Sequence, residues 1–431
     1  MSFLRCAPLG LMTVLAGAVL TLAGEPAAGK VEPPAVSKVE PELPPDKALL
    51  DKIEAMPDNT WMKLPPFKVA GDLNELLKDF RPTGPRVRDY CNKMVWAPNR
   101  KRALYCGGGH GYPPFNDVWE YDLAANTWIC LFGPDPVPPK TKPGEEDQAV
   151  AWYKAHAVLK DGSVRTLRGA PLRPCHTWWS LCYDADRKQM LFMESHKGFF
   201  NVDKVSLAKA LNMDPKDPLF QTYGSGPGDA WLFAFDPAKR EWQDVLTGVP
   251  KAGESLCLEY LPHSKSIWWL SDKTYQRGAA AKEWVAYPGS ANGSAVFGGM
   301  TAYDPETRQM VATAGLKTWV FKCDEGTWSL AQPDAMDGCY VPHGTFCYDT
   351  MARRFVLYTH MKQKDGTAEP RLRLYDHREN KWSDPAPQGE VPKKVGNLAG
   401  YYDPARNGTV IYGDRERWVY RCKQAGKPEG K

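Results

Sequence analysis

Two short fragments alternate along this chain, and their alternation restricts it to architectures built from one small β unit repeated. The first fragment is an apolar strand, a turn made of an aromatic residue, an Asp-Pro-like pair and basic residues, and then a second apolar strand. It begins at Met94 (MVWAPNRKRALYC), Leu181 (LCYDADRKQMLFM), Leu258 (LEYLPHSKSIWWL), Thr301 (TAYDPETRQMVAT), Phe346 (FCYDTMARRFVLY) and Gly400 (GYYDPARNGTVIY). The second fragment is an aromatic strand, a short polar turn and a Trp, and it ends at Trp128, Trp242, Trp284, Trp328 and Trp382. An aromatic stands seven residues before the Trp at Tyr121, Phe235, Phe321 and Tyr375, and another stands nine before it at Trp119, Tyr275 and Trp319. One copy of each fragment makes four antiparallel strands, and such a unit buries its apolar faces only by stacking on copies of itself.

The last copy is incomplete. After Trp418 and Tyr420 the chain ends without the turn and Trp, while an unpaired strand of the right kind, DNTWMKLP around Trp61, stands at the other end. A closed ring leaves no bare sheet edge. The sequence therefore predicts an all-β fold, a six-bladed β-propeller closed by an N-terminal strand. A seventh blade within residues 131–172 is the weaker alternative, because that stretch starts Pro-rich and turns helix-like at EEDQAVAWYKAHAV. In the first blade the second strand runs into Cys106-Gly107-Gly108-Gly109, and single glycines stand at Gly315 and Gly413 in later copies. The diglycine followed by a spaced aromatic and Trp resembles the kelch repeat, over roughly residues 58–422. That resemblance implies a propeller of the galactose oxidase/kelch superfamily and leaves activity open. The Tyr-His dipeptide of its copper enzymes does not occur here.

The flanks set domains and compartment. Arg5, an apolar run over residues 9–22 and the small residues Ala23 and Gly24 read as a signal peptide, residues 1–24. The run is short of the ~20 residues a spanning helix needs, so no membrane span is expected and the protein is placed as secreted or periplasmic. Residues 25–57 read as a Pro-rich flexible linker, 58–422 as the propeller and 423–431 as a C-terminal tail. Ten cysteines follow the signal, which permits disulfides in an exported chain, while Cys182, Cys257 and Cys347 sit in strand-like runs that suit a core. A net charge of only +4, with both signs interspersed, excludes nucleic acid as partner.

Loop lengths distinguish the two faces. With strands named a to d from the axis outward, the a–b and c–d turns are short, while long insertions fall at 62–89 and 131–174 (d–a) and at 196–228 and 361–370 (b–c). One face is thus elaborated, and loops on a rigid scaffold are where function concentrates. His110, His176, His196, His343 and His360 map to that face. His263 and His377 map to plain-face turns and are expected to be solvated, and His156 lies in the helix-like insertion. Counting back from each turn opposes Asp89 to His110, His176 to His196, and His343 to His360. Imidazole and carboxylate are transition-metal ligands and general acid/base groups. Tyr112, Phe115, Arg168, Arg173, Trp178 and Trp179 crowd the same rim, with one of the two tryptophans facing inward. Two functions follow. The first is a binding module for carbohydrate or an extracellular protein, using His110, Tyr112, Arg168, Arg173, Trp178, His196 and His360. The second is an acid/base or metal-dependent enzyme acting on carbohydrate, with His176, His343 and Asp89 as catalytic candidates and a transition metal on His176, His196, His343 and His360.

Overall fold

The computed structural model describes residues 40–71, 88, 90–108, 116–136, 144–174, 177–194, 202–220, 230–250, 257–270, 273–278, 281–287, 299–314, 317–331, 339–362, 368–392, 398–413 and 416–424. Six antiparallel sheets follow one another in chain order and form a six-bladed propeller. Blade one is Val95–Ala97, Arg102–Cys106, Val118–Asp122 and Thr127–Phe132, with Lys68–Val69 added in parallel outside. Blade two is Leu181–Asp184, Gln189–Glu194, Ala230–Asp236 and Glu241–Val249, and blade three is Cys257–Leu261, Ser266–Leu270, Thr274–Gly278 and Val285–Tyr287. Blade four is Met300–Asp304, Gln309–Ala314, Lys317–Lys322 and Thr327–Leu330; blade five is Cys339–Asp349, Arg354–Lys362, Ala368–Asp376 and Lys381–Ser383. Blade six takes Ala399–Asp403, Gly408–Tyr412 and Arg417–Arg421 from the end of the chain and Thr60–Lys63 from its start. In that closing pair Trp61 faces Tyr420. Phe321 faces Trp328 and Tyr375 faces Trp382 in the same way, so the spaced aromatic and Trp are cross-strand partners.

The Asp of the first fragment caps its turn. Asp184, Asp349 and Asp403 each accept backbone N–H bonds from residues two and three further on, and Asp122, Asp236 and Asp376 do the same in the c–d turns. Each turn then closes through a left-handed residue, such as Lys188, Lys265, Arg308, Arg353 or Asn407. The aromatic of the same fragment ties blades together. Tyr183 Oη donates to Asn99 Oδ1 at 2.5 Å, Tyr260 Oη donates to Asp186, and Tyr303 Oη sits 2.6 Å from His263 Nδ1. The repeat therefore encodes both the turn and the register of one blade against the next.

Outer-strand tryptophans also cross between blades. Trp328 Nε1 donates to Thr274 Oγ1 at 2.6 Å and Trp382 Nε1 to Thr318 Oγ1 at 2.8 Å. Trp128, Trp242 and Trp382 are buried. Trp284 and Trp328 are only half-buried.

Three findings differ from the sequence reading. Residues 47–54, inside the segment whose composition reads as a linker, form helix α1 (Lys47–Glu54), capped by Asp46 and burying Leu49 and Ile53. His377 is buried rather than solvated, 3.0 Å from Asp304 Oδ2. His263 is likewise largely covered, stacked on Tyr303. The tight turns bring these rings against the neighbouring blade.

Cys91, Cys106, Cys130, Cys182, Cys257, Cys323, Cys347 and Cys422 are free thiols, all but Cys347 buried. Burial pushes Cys257 up to about 12, so they are core residues. Among the described residues no helix is long and apolar enough to cross a membrane.

Candidate binding face

The two large insertions pack on each other. Helix α2 (Glu146–His156) and the hairpin Ala157–Lys160/Ser163–Thr166 come from the d–a insertion, and helix α3 (Lys204–Ala210) comes from the b–c insertion. Tyr153 of α2 and Leu207 and Ala208 of α3 join the core of blades one and two. Asn116, at the end of the b–c loop of blade one, donates to Asp135 Oδ2 at 2.9 Å and to the Pro171 carbonyl at 3.0 Å. Arg168 completes the junction, 3.0 Å from Asp135 Oδ1 and 3.8 Å above the Phe132 ring. Arg168 thus holds the insertion in place, and Arg173, half-buried, acts on the Tyr153 phenol, whose pKa burial raises to about 12.

Where strands enter the hub from this face, backbone strain and buried charge coincide. Tyr90 and Trp178 both adopt left-handed backbone, φ 52° and 42°, which costs a side-chain-bearing residue of order 1–3 kcal/mol. Their rings lie 4.5 Å apart, and Trp178 N–H donates to the Tyr90 carbonyl at 2.7 Å. Thr177 Oγ1 donates to the same carbonyl at 3.2 Å. Two residues before Tyr90, Arg88 forms an ion pair of 2.6 Å with Asp117, the side chains being 2% and 1% exposed. Arg88 also donates to the Gly107 carbonyl, and Trp119 Nε1 donates to Asp117 Oδ2 at 2.6 Å. The other oxygen, Asp117 Oδ1, is buried and has no donor among the described residues. Gly107 is obligatory here: its φ is +115°, and a Cβ would lie 2.4 Å from Thr177. Cys91 Sγ donates to the Cys106 carbonyl at 2.9 Å, and burial pushes its thiol up despite Thr177 and Arg88.

A polar bolt crosses the hub. Lys93 Nζ of blade one lies 2.6 Å from Glu259 Oε1 of blade three and donates to the Leu258 carbonyl at 2.9 Å. Thr301 of blade four donates to the same Glu259 oxygen at 2.7 Å, while Trp179 of blade two donates through Nε1 to the Thr301 carbonyl at 2.7 Å. Burial holds the Glu259 carboxyl above its usual range against the pull of Lys93 and Thr301. Trp179, with Lys93 at 5.6 Å from its ring, is the inward-facing member of the Trp178–Trp179 pair.

The expected histidine pairs fare unevenly. Blade one keeps the expected register, Ala97 against Arg102 and Val95 against Leu104; Asp89, His110, Tyr112 and Phe115 themselves lie outside the described residues. In blade two the ladder pairs Asp184 with Gln189 and Leu181 with Phe192, one residue off the register that opposes His176 to His196. Both of those histidines lie outside the described residues. In blade five Tyr340, not His343, is the partner of His360, because the register shifts between Tyr340 and Thr345. Pro342 has no N–H to continue the ladder, and a bulge forms there. Sequence reasoning missed Arg88, Asp117, Lys93, Glu259 and Thr301. The available signal was a charge set among apolar strand residues, as in Cys91-Asn92-Lys93-Met94-Val95 and Cys257-Leu258-Glu259-Tyr260, since Lys and Glu are rarely buried unless paired. Among the described residues no three His, Cys, Asp or Glu side chains converge as a metal site.

No family model matches this chain, and no curated protein matches it. Among solved structures it is similar to an auxiliary nutrient binding protein from Bacteroides thetaiotaomicron, at 8% identity and a TM-score of 0.42, over 77% of this chain and 69% of that one.

Proposed function

We propose that this chain is an exported, kelch-type propeller that binds a carbohydrate ligand through its elaborated face, at the hub entrance of blades one and two. The observation that carries the reading is the Tyr90–Trp178 pair. Two aromatic residues are held side by side in left-handed backbone, Tyr90 two residues after Arg88 of the buried Arg88–Asp117 ion pair. Strain of this kind persists only where the surroundings over-determine it, and it clusters at binding and active sites. Aromatic rings offer large, rigid, amphipathic area at low entropic cost, which suits the C–H faces and hydroxyls of a sugar.

The test is a glycan array on the mature protein, followed by affinities for the best ligand. Tyr90→Gly keeps the left-handed backbone without strain and removes only the ring. It is expected to lower affinity about 10- to 100-fold, from the roughly 1.5–3 kcal/mol of one buried aromatic contact, with the far-UV spectrum unchanged. An array without hits, or an unchanged affinity in the variant, removes this site from consideration. Elemental analysis of the same preparation separates it from the metal-enzyme alternative, which requires near-stoichiometric metal. Intact mass is expected to show cleavage close to residue 24.

A further inference from the structure

At the seam where blade six meets blade one, the Trp–Thr contact between blades changes chemistry. Trp382 and Trp328 each donate to a threonine of the preceding blade. Thr318 of that pair stands three residues before Phe321, the aromatic of its strand. The corresponding place in blade six, three before Tyr420, holds Arg417. The tryptophan due to reach it is Trp128 of blade one. Trp128 packs 5.1 Å from Tyr412, the ladder partner of Arg417. At those two seams the indole N–H meets a hydroxyl, while at this one the corresponding place holds a guanidinium.

Arg417 is 2% exposed, and among the described residues its Nε and Nη1 have no hydrogen-bond partner; nor has Trp128 Nε1. Arg417 Nη2 donates to the Pro65 carbonyl at 3.4 Å, and its guanidinium lies 4.1 Å from the Phe67 ring. No carboxylate pairs with it among the described residues. Arginine does not shed its charge in a protein, and a buried charge persists only when something compensates it. Three buried N–H donor atoms on two neighbouring blades, two of them on one guanidinium, call for an anion. The walls are Phe67, Trp128 and Tyr412, and the donor atoms are wholly enclosed. The occupant is therefore a small inorganic anion rather than an organic acid.

We propose that the seam binds a single halide-sized anion, bridging Arg417 of blade six and Trp128 of blade one. Its donors come from both sides of the ring closure, so the ion binds the closed ring only and stabilises it by mass action. The test is thermal unfolding of the full chain as gluconate is replaced by chloride at fixed ionic strength. The unfolding temperature is expected to rise by about 2 °C for each tenfold increase in chloride above the dissociation constant. Arg417→Met is expected to abolish that rise and Trp128→Phe to reduce it. An unfolding temperature indifferent to the exchange, or an unchanged rise in Arg417→Met, overturns the proposal. Should Arg417→Met not fold, crystals of the wild-type protein soaked in bromide decide the matter. An anomalous peak within hydrogen-bond distance of Arg417 Nη1 is expected, and a map without one sinks the site.

Discussion

Asp304 shows what one residue of the repeat does beyond capping its turn. Its carboxylate accepts from the Glu306 N–H and from Thr307 Oγ1, and His377 Nε2 stands 3.0 Å away. Burial alone would raise its pKa, but the bonds from His377 and Thr307 outweigh burial and bring it to about 2, from an ordinary 3.8. The unfolded chain therefore binds the proton more readily, so this stabilisation is complete above about pH 4 and is lost as pH falls toward 2. Urea unfolding across that window is expected to show a steeper acid loss in the wild type than in Asp304→Asn. Equal slopes would mean that the buried His377 contributes nothing through this carboxylate. Nothing in the local sequence HRENKW around His377 marks it as buried, since burial comes from the a–b turn of another blade.

At the scale of an element, the closing strand carries the most consequence for its length. Thr60–Lys63 is four residues long, yet Trp61 is 3% exposed, between Tyr358 at 5.3 Å and Tyr420 at 5.0 Å. Asn59 fastens its start, donating to the Ala386 carbonyl at 2.9 Å and accepting from Tyr420 Oη at 2.8 Å. Gly389 passes so close that a Cβ there would lie 2.4 Å from the Trp61 carbonyl, at φ +86°. Trp61→Ala is expected to cost about 3–5 kcal/mol by the cavity it leaves, read as a lower denaturant midpoint at unchanged slope. It is also expected to speed proteolysis near residue 60, because the strand Arg417–Arg421 becomes an open edge. Survival of the midpoint would show that the ring does not depend on this strand. The closure was legible because an unmatched half-repeat at one end of the sequence called for an unmatched strand at the other. Helix α1 was not, because two buried residues, Leu49 and Ile53, leave too sparse a pattern to stand out among Pro, Glu and Lys.

For the whole molecule, the Lys93–Glu259 bolt decides whether six blades behave as one body. It joins blades one and three directly and, through Thr301 and Trp179, blades four and two. Breaking a buried pair from one side strands a charge, so Lys93→Met and Glu259→Leu are each expected to cost about 3–5 kcal/mol. The double variant, with both charges gone, is expected to cost less than their sum by more than 1 kcal/mol in a cycle of denaturant midpoints. Additive effects would show that the two groups act separately. The sequence by itself determined the blade count, the order of strands, the ring closure and the face that carries insertions, because each is a matter of local pattern and spacing. Only the tertiary structure decided which charges meet at the hub, that His360 faces Tyr340, and that Arg417 is buried against Phe67. The hub contacts join residues on different blades, and a single bulge at Pro342 or a one-residue shift in a turn re-aims the side chains beyond it.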